Sequence, residues 1–554
     1  MLLILNPLHY FISLIQELAY LIIFVGKKLN MVIKLLYTFS LCSFLVSNAQ
    51  ILDTTFGTAG YNYTNPSTAW DSAGDIFVEQ DNSLVILGNI GPGTKRAIYK
   101  LDAGGNLVTS FGNNGITISQ NQASHSQIIK LSSGKYLTVG SVGYMYNQNF
   151  FAERFNTDGT LDTSFGDNGK AAVNMGYPAT VETIDMAYTA IELPDGKIIL
   201  CGWAEYGYPK KRSCLLKLNQ DGTVDTTFGT NGKLYFTLNP GASQERANGM
   251  NIFLWDNKII VSGTGRITDT TENTTGINDM YVVRLNLNGT YDTTFGTNGK
   301  LIFNLGYSSE YGAATQDSNG YIYITGSVYS NSVSETWIAK VSPQGQLVAN
   351  FGTNGITKHK ITVGSQYEIP KTIILGNNGV YVGGNFYFPN ALSNYDWMYI
   401  GKFNFDGTPD LTFGTNGLFR LPGDYTVRRL FGMKFDNNKR LVVAGDSNHS
   451  DRQFASARIK INGETLSTED IKAANSGLHF YPNPVSDFLH VQVNNIKSVQ
   501  KIELYSMDGR MMTGLDYTPE GNILKINLQN ISAGSYLLKI VCGNRMQIVK
   551  ISKK

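Results

Sequence analysis

Five aspartates stand three residues before a phenylalanine, at Asp53, Asp162, Asp225, Asp292 and Asp410, in stretches such as VDTTFGTNGK that are dense in glycine and hydroxyl side chains. A carboxylate at a tight turn could hold calcium. A calcium loop needs a ladder of alternating oxygen ligands closed by a bidentate glutamate, and no copy supplies one. Two sister copies carry Val108 and Val348 at the same place. The aspartates are therefore read as turn formers that bond to their own backbone, and no cofactor or metal ligand is expected, with calcium as the rival. Catalytic signals are sparse. His125, His359, His449, His479 and His490 neither pair nor recur, and no GxSxG, HExxH or CxxC spacing occurs. No catalytic residue is assigned.

What must position these turns is a repeat. The phenylalanine motif occurs seven times, at Phe56, Phe111, Phe165, Phe228, Phe295, Phe351 and Phe413, at intervals averaging about sixty residues. Each Phe is followed by Gly and by a second Gly three residues later. About thirty residues on comes a turn and a short apolar run, as in NSLVILG, GKIILCG and KRLVVAG. Each unit ends on an apolar pair flanking a cation: Lys100, Arg154, Lys217, Arg284, Lys340, Lys402 and Lys460. Alternation along the strand makes that cation a solvated or turn-paired outer position, with an anion-binding belt of seven like charges as the alternative. Four short strands per unit follow; in the fourth they fall at 233–238, 249–254, 258–263 and 280–285. Seven such units without helical period predict an all-β chain built on a seven-bladed β-propeller, in which stacking buries faces no unit can bury alone. The first motif lacks a preceding strand and the last strand lacks a following motif, so the N-terminal segment is expected to close the ring beside residues 457–466. The seven phenylalanines are read as structural joints between blades, because a ligand rarely needs seven equivalent platforms.

Antiparallel order sends the hairpins and Phe motifs to one face and the remaining loops to the other. The first face repeats almost verbatim; the second varies in length and carries Tyr144, Tyr146, Trp203, Tyr206, Tyr208, Phe386, Tyr387 and Trp397. Aromatic, variable loops on a rigid ring are the candidate ligand face, against the plainer reading that these rings pack their own loops. Cys201 and Cys214 fall on neighbouring expected strands, which leaves a disulfide open in an oxidising compartment. Both replace apolar residues of sister repeats, Val139 and Phe151, which favours buried thiols.

The 45 basic and 43 acidic residues give a net charge of +2 with no basic run in the body of the chain, which argues against nucleic acid. Residues 1–49 read as a signal region whose working start is Met31, with cleavage between Ala49 and Gln50; a membrane anchor at about residues 10–25 is the rival. The mature protein is not expected to span a membrane. The repeats occupy 50–463, a polar linker 464–477, and a further set of alternating strands 478–554, enough for a small immunoglobulin-like β-sandwich.

That last segment carries Tyr481-Pro482-Asn483-Pro484, a Leu-Tyr run from Leu504 to Asp508-Gly509, Ala533-Gly534-x-Tyr536 and Lys550. It resembles the type IX secretion (Por secretion) sorting domain of certain Gram-negative bacteria, and the repeats are similar to the bacterial delta-60 β-propeller repeat. The first resemblance implies Sec export, passage through the outer membrane with this domain as address, the type IX machinery as partner, and delivery to the medium or cell surface via the periplasm. The second implies no assigned activity. The expected function is a secreted or surface-displayed, non-catalytic binding or adhesion scaffold for an extracellular protein or glycan. A polysaccharide-acting hydrolase or lyase using the axis or the variable face, and a structural surface-layer or matrix component, are the alternatives.

Overall fold

The apolar runs are rich in Val, Ile, Leu and Tyr and bounded by Gly, Asn and Asp, so they extend and pair rather than coil. A computed structural model describes residues 51–67, 71–91, 95–121, 123–144, 147–176, 183–205, 211–239, 246–267, 278–306, 308–330, 333–362, 364–387, 397–421, 427–447, 453–461, 479–481, 484–492, 499–506, 511–512, 515–542 and 545–554. Its regular structure there is all strand. The signal region with Ala49 and Gln50, the linker, Tyr146, Tyr206, Tyr208, Pro482, Asn483, Asp508 and Gly509 lie outside the described residues.

The repeats form seven four-stranded antiparallel units. The first comprises Ser72–Val78, Leu84–Ile90, Lys95–Leu101 and Ile116–Ile118. Five more follow the same plan, led by Ala123–Lys130, Asp185–Glu192, Arg246–Trp255, Ser309–Gln316 and Tyr367–Leu375. The third and fourth touch through one parallel pair, Lys211 with Arg246. The seventh holds Val427–Phe435, Leu441–Ser447 and Phe454–Lys460 and is completed by the N-terminal strands Ile51–Leu52 and Tyr61–Thr64. The closing partner is thus 454–460, slightly earlier than the sequence suggests. The leading strands of successive units touch in a cycle, the seventh returning to the first. The architecture is a closed β-propeller.

In the fourth repeat the strands fall at Lys233–Tyr235, Arg246–Trp255, Lys258–Arg266 and Asp279–Asn286. The first of these pairs back onto the preceding blade, with Cys214 opposite Tyr235. Each sequence repeat therefore donates its first strand to its neighbour's sheet, which staples blade to blade around the ring.

Every leading strand contains a register shift of the bulge type. The residues passed over are Gly74, Ser126, Tyr188, Met250, Gly312 and Lys371 in the first six, and both Arg428 and Phe431 in the seventh. Side chains of one blade bond to the next blade's leading strand: Asp75 Oδ2 accepts the Ile128 amide at 3.0 Å and Gln127 Oε1 the Ala190 amide at 2.7 Å. These bonds satisfy edge donors that would otherwise face the axis unpaired.

Cys201 pairs in register with Leu215, so Cys214 points from the opposite side of the sheet. The two thiols enter different core clusters and both are free.

Residues 479–554 form two four-stranded sheets around a core that includes Val485, Leu489, Val491, Leu504, Leu538, Ile540 and Ile551. Tyr536 is buried and its hydroxyl donates to the Ser532 carbonyl at 2.8 Å, closing the turn that holds Ala533 and Gly534. Pro484 is exposed ahead of the strand Phe488–Gln492. Lys550 lies opposite Leu537 in the C-terminal edge strand.

Candidate functional site

All seven motif phenylalanines are buried, none more than 2 % exposed. Each of the first six rings lies under the turn of the following repeat. A Cβ added to Gly105 would meet the Phe56 ring at 2.7 Å, and one on Gly222 the Phe165 ring at 2.8 Å. Both glycines also have φ above +80°. The turns are bonded together as well: the Gly57 amide donates to Gly104 O at 2.6 Å and Gly166 to Asp221 O at 2.6 Å.

The aspartates complete this joint. In the fourth blade Asp292 Oδ1 accepts the Thr294 amide and hydroxyl at 3.2 and 2.7 Å, and Oδ2 accepts from Arg284 Nε at 2.9 Å. Arg284 lies 4.9 Å above the Phe295 ring and reaches Pro343 O of the next turn at 2.5 Å. The Thr294 hydroxyl, then its amide and the Arg284 and Lys258 charges, outweigh burial and hold the Asp292 carboxyl down at about 2. Asp162 repeats the arrangement with Arg154, and Asp225 and Asp410 pair with Lys217 and Lys402. In the closing blade Asp53 pairs with Arg458 at 2.8 Å, and Arg458 covers Phe56 at 4.9 Å. Arg458, rather than Lys460, is therefore the seventh cation of the series; Lys460 sits two residues outward, with its side chain 52 % exposed. In these five blades the cation is paired to the turn and largely covered by it.

The variable-loop face divides. Phe386 is 1 % exposed and packs against Tyr399 in the core, and Trp203 is 5 % exposed, its Nε1 donating to Tyr188 Oη at 3.1 Å beneath Lys211. Neither offers an open ring. Tyr387 is half-buried and lies tilted against Tyr367 with ring centres 4.7 Å apart, and Tyr367 in turn lies 6.3 Å from Tyr329. Trp397 faces Phe386 across the ladder. Tyr144 ends the strand Tyr136–Tyr144 beside the undescribed residues 145–146. Sequence reading overlooked Tyr329 and Tyr367, which end or begin regular strands; their signal is position at the loop end of a strand, not loop composition.

On the axis is a cavity of about 910 Å³ walled by the seven leading strands. Its carboxylates are occupied: Asp75 by the Ile128 amide, and Glu192 by the Ser132 amide at 2.6 Å and hydroxyl at 2.8 Å. Burial pushes the Asp185 carboxyl up to about 6, although the Met175 amide bonds it at 2.6 Å. It is fully buried, out of reach of a polymer. Among the described residues no group of His, Cys, Asp and Glu could hold a metal.

The raised pKa has a testable consequence. The folded protein holds this proton between pH 4 and 6 while the unfolded chain releases it, so stability falls as pH rises across that interval. Asp185→Asn is expected to stabilise the protein by roughly 1–3 kcal/mol at pH 8 and by almost nothing at pH 4, read from denaturant midpoints. An equal effect at both pH values would disprove the assignment.

Residues 479–554 match the family described as secretion system C-terminal sorting domain. The chain carries a type IX sorting domain. Ahead of the sorting domain, residues 131–165, 193–228 and 256–295 match the domain of unknown function (DUF5122) beta-propeller. The sorting domain marks the protein for secretion or the cell surface. No helix among the described residues is long and apolar enough to cross a membrane. Solved structures that resemble this propeller are distant. Polysaccharide lyase Uly1 shares 9 % identity over 74 % of this chain and 92 % of its own, with a TM-score of 0.43. A PL25 ulvan lyase shares 11 % over 73 % and 96 %, with 0.41. Drosophila Semaphorin 1a shares 11 % over 73 % and 88 %, with 0.37. At such values no activity transfers. No curated protein matches.

Proposed function

We propose that the secreted propeller is a non-catalytic binding scaffold that presents its variable-loop face to an extracellular protein or glycan. The observation that carries this reading is the tyrosine cluster Tyr329, Tyr367 and Tyr387, three partly exposed rings fixed at strand ends of two adjacent blades. Tyrosines supply large contact area with little rotamer entropy to lose and a hydroxyl for orientation. The occupied carboxylates of the axial cavity favour binding over hydrolysis, because a glycosidase needs two free carboxyl groups flanking one bond.

A glycan array and an extracellular-protein panel, probed with the mature chain, identify the ligand. Tyr367→Ala and Tyr387→Ala are each expected to weaken that binding about tenfold or more. Cleavage of any arrayed polymer, or undiminished binding by both variants, overturns the reading.

A further inference from the structure

The joints of the ring are not all alike. In the second, third, fourth and seventh blades the aspartate holds a second cation besides the recurring one: Lys135, Lys197, Lys258 and Arg440. The fifth blade has lost both members. Val348 stands where the aspartate belongs, its amide still bonded to Lys340 O at 2.9 Å, and Tyr321 stands where the second cation belongs. Lys340 has no aspartate at the joint position; the one carboxylate that acts on it is Asp317 of the neighbouring hairpin turn, whose Oδ1 is taken by the Asn319 and Tyr321 amides at 2.9 Å each, so that Oδ2 is the oxygen left to accept. Its ammonium lies 4.8 and 5.0 Å from the centres of the Tyr321 and Tyr323 rings, partly desolvated.

Beside it is a cleft of about 440 Å³ lined by Lys340, Tyr321, Leu375, Asp317, Asn319 and Phe405, within the range of roughly 300–1,000 Å³ common to small-ligand sites. Phe405 is 42 % exposed at its edge, among the largest openings of any aromatic in the propeller. The first blade also has valine, Val108, but Ser83 fills the second position, so no aromatic wall forms there.

We propose that this cleft binds an acidic sugar residue, with its carboxylate on Lys340, its ring face on Tyr321 and Phe405, and its hydroxyls on Asp317 and Asn319. A uronate carries one carboxylate per ring and hydroxyls that can donate to Asp317; an acidic peptide brings several carboxylates against that same charge. The site lies on the hairpin face, opposite the tyrosine cluster, and stands independently of it.

The test is calorimetric titration of the mature full-length protein with oligogalacturonate and with its neutral methyl ester. The acid is expected to bind, and the ester about tenfold or more weakly, as loss of a charge-assisted bond implies. Lys340→Met should weaken acid binding comparably. So should the double substitution Tyr321→Lys with Val348→Asp, which rebuilds the joint of three sister blades and so preserves folding. Tyr367→Ala should leave it unchanged, which separates this site from the loop-face reading. Absent binding of the acid, equal binding of the ester, indifference to both Lys340→Met and the rebuilt joint, or preference for polyglutamate overturns the proposal.

Discussion

A chain lacking residues 51–64 is expected to lose its cooperative unfolding transition near the wild-type midpoint. Those residues supply the fourth strand of the seventh blade: Ile51 and Leu52 pair with Lys460 and Ile459, and Tyr61 to Thr64 with Ala457 to Phe454. At about 1 kcal/mol net per backbone hydrogen bond, their loss is a large fraction of the stability a domain possesses. It also removes Asp53, a fully buried carboxylate in contact with Arg458, Arg440 and Lys460 at 2.8, 3.3 and 3.1 Å. Asp53→Ala alone is expected to cost about 3–5 kcal/mol, because it strands Arg458 in a covered site and frees the Thr55 hydroxyl and amide. Asp410→Ala, whose carboxylate meets one lysine, should cost less. Denaturant titrations decide the matter; an Asp53→Ala midpoint indistinguishable from wild type would show that the ring does not depend on its closing ion pairs.

Deletion of residues 479–554 is expected to abolish delivery to the cell surface and medium and to leave the propeller in the periplasm. The sorting domain has its own core and no strand of its two sheets pairs with a propeller strand among the described residues, so its removal leaves the propeller's own ladders intact. Fractionation and surface labelling read the outcome. Surface labelling equal to wild type would refute the role of the tail, whereas loss of the protein from all fractions would show that deletion destabilised it instead.

Much of this was legible in the chain because the ring repeats its joints. Seven phenylalanines, the glycines that leave room for their rings and the aspartates beside them announce a structure that needs the same contact seven times. The pairing of acid with second cation is also written there: Asp162 with Lys135, Asp225 with Lys197 and Asp292 with Lys258, against Val348 with Tyr321. Three things were hidden. The run RIKIN offers two cations, and only strand register, with Ile459 opposite Leu441, selects Arg458. The bulges of the leading strands leave no compositional mark, since the residues passed over are Gly, Ser, Tyr, Met, Gly and Lys in the first six blades and Arg and Phe in the seventh. Backbone geometry, repeated by the ring's curvature, makes them. The tyrosine cluster was hidden for a related reason: Tyr329 and Tyr367 belong to strands, while variability draws attention to loops.

The closing ladder has a mechanical meaning as well. The strand Phe454–Lys460 is the last of the propeller before the chain runs on toward the tail, so tension applied through the C-terminal segment arrives there first. That strand is held on both sides, by Leu441–Ser447 and by the N-terminal pair. Pulling it free requires two ladders and the Asp53 clamp to yield together, whereas an outermost strand could be peeled away one bond at a time. Closing the ring with the N-terminal strands thus places a strand gripped on both sides where a tether would load it.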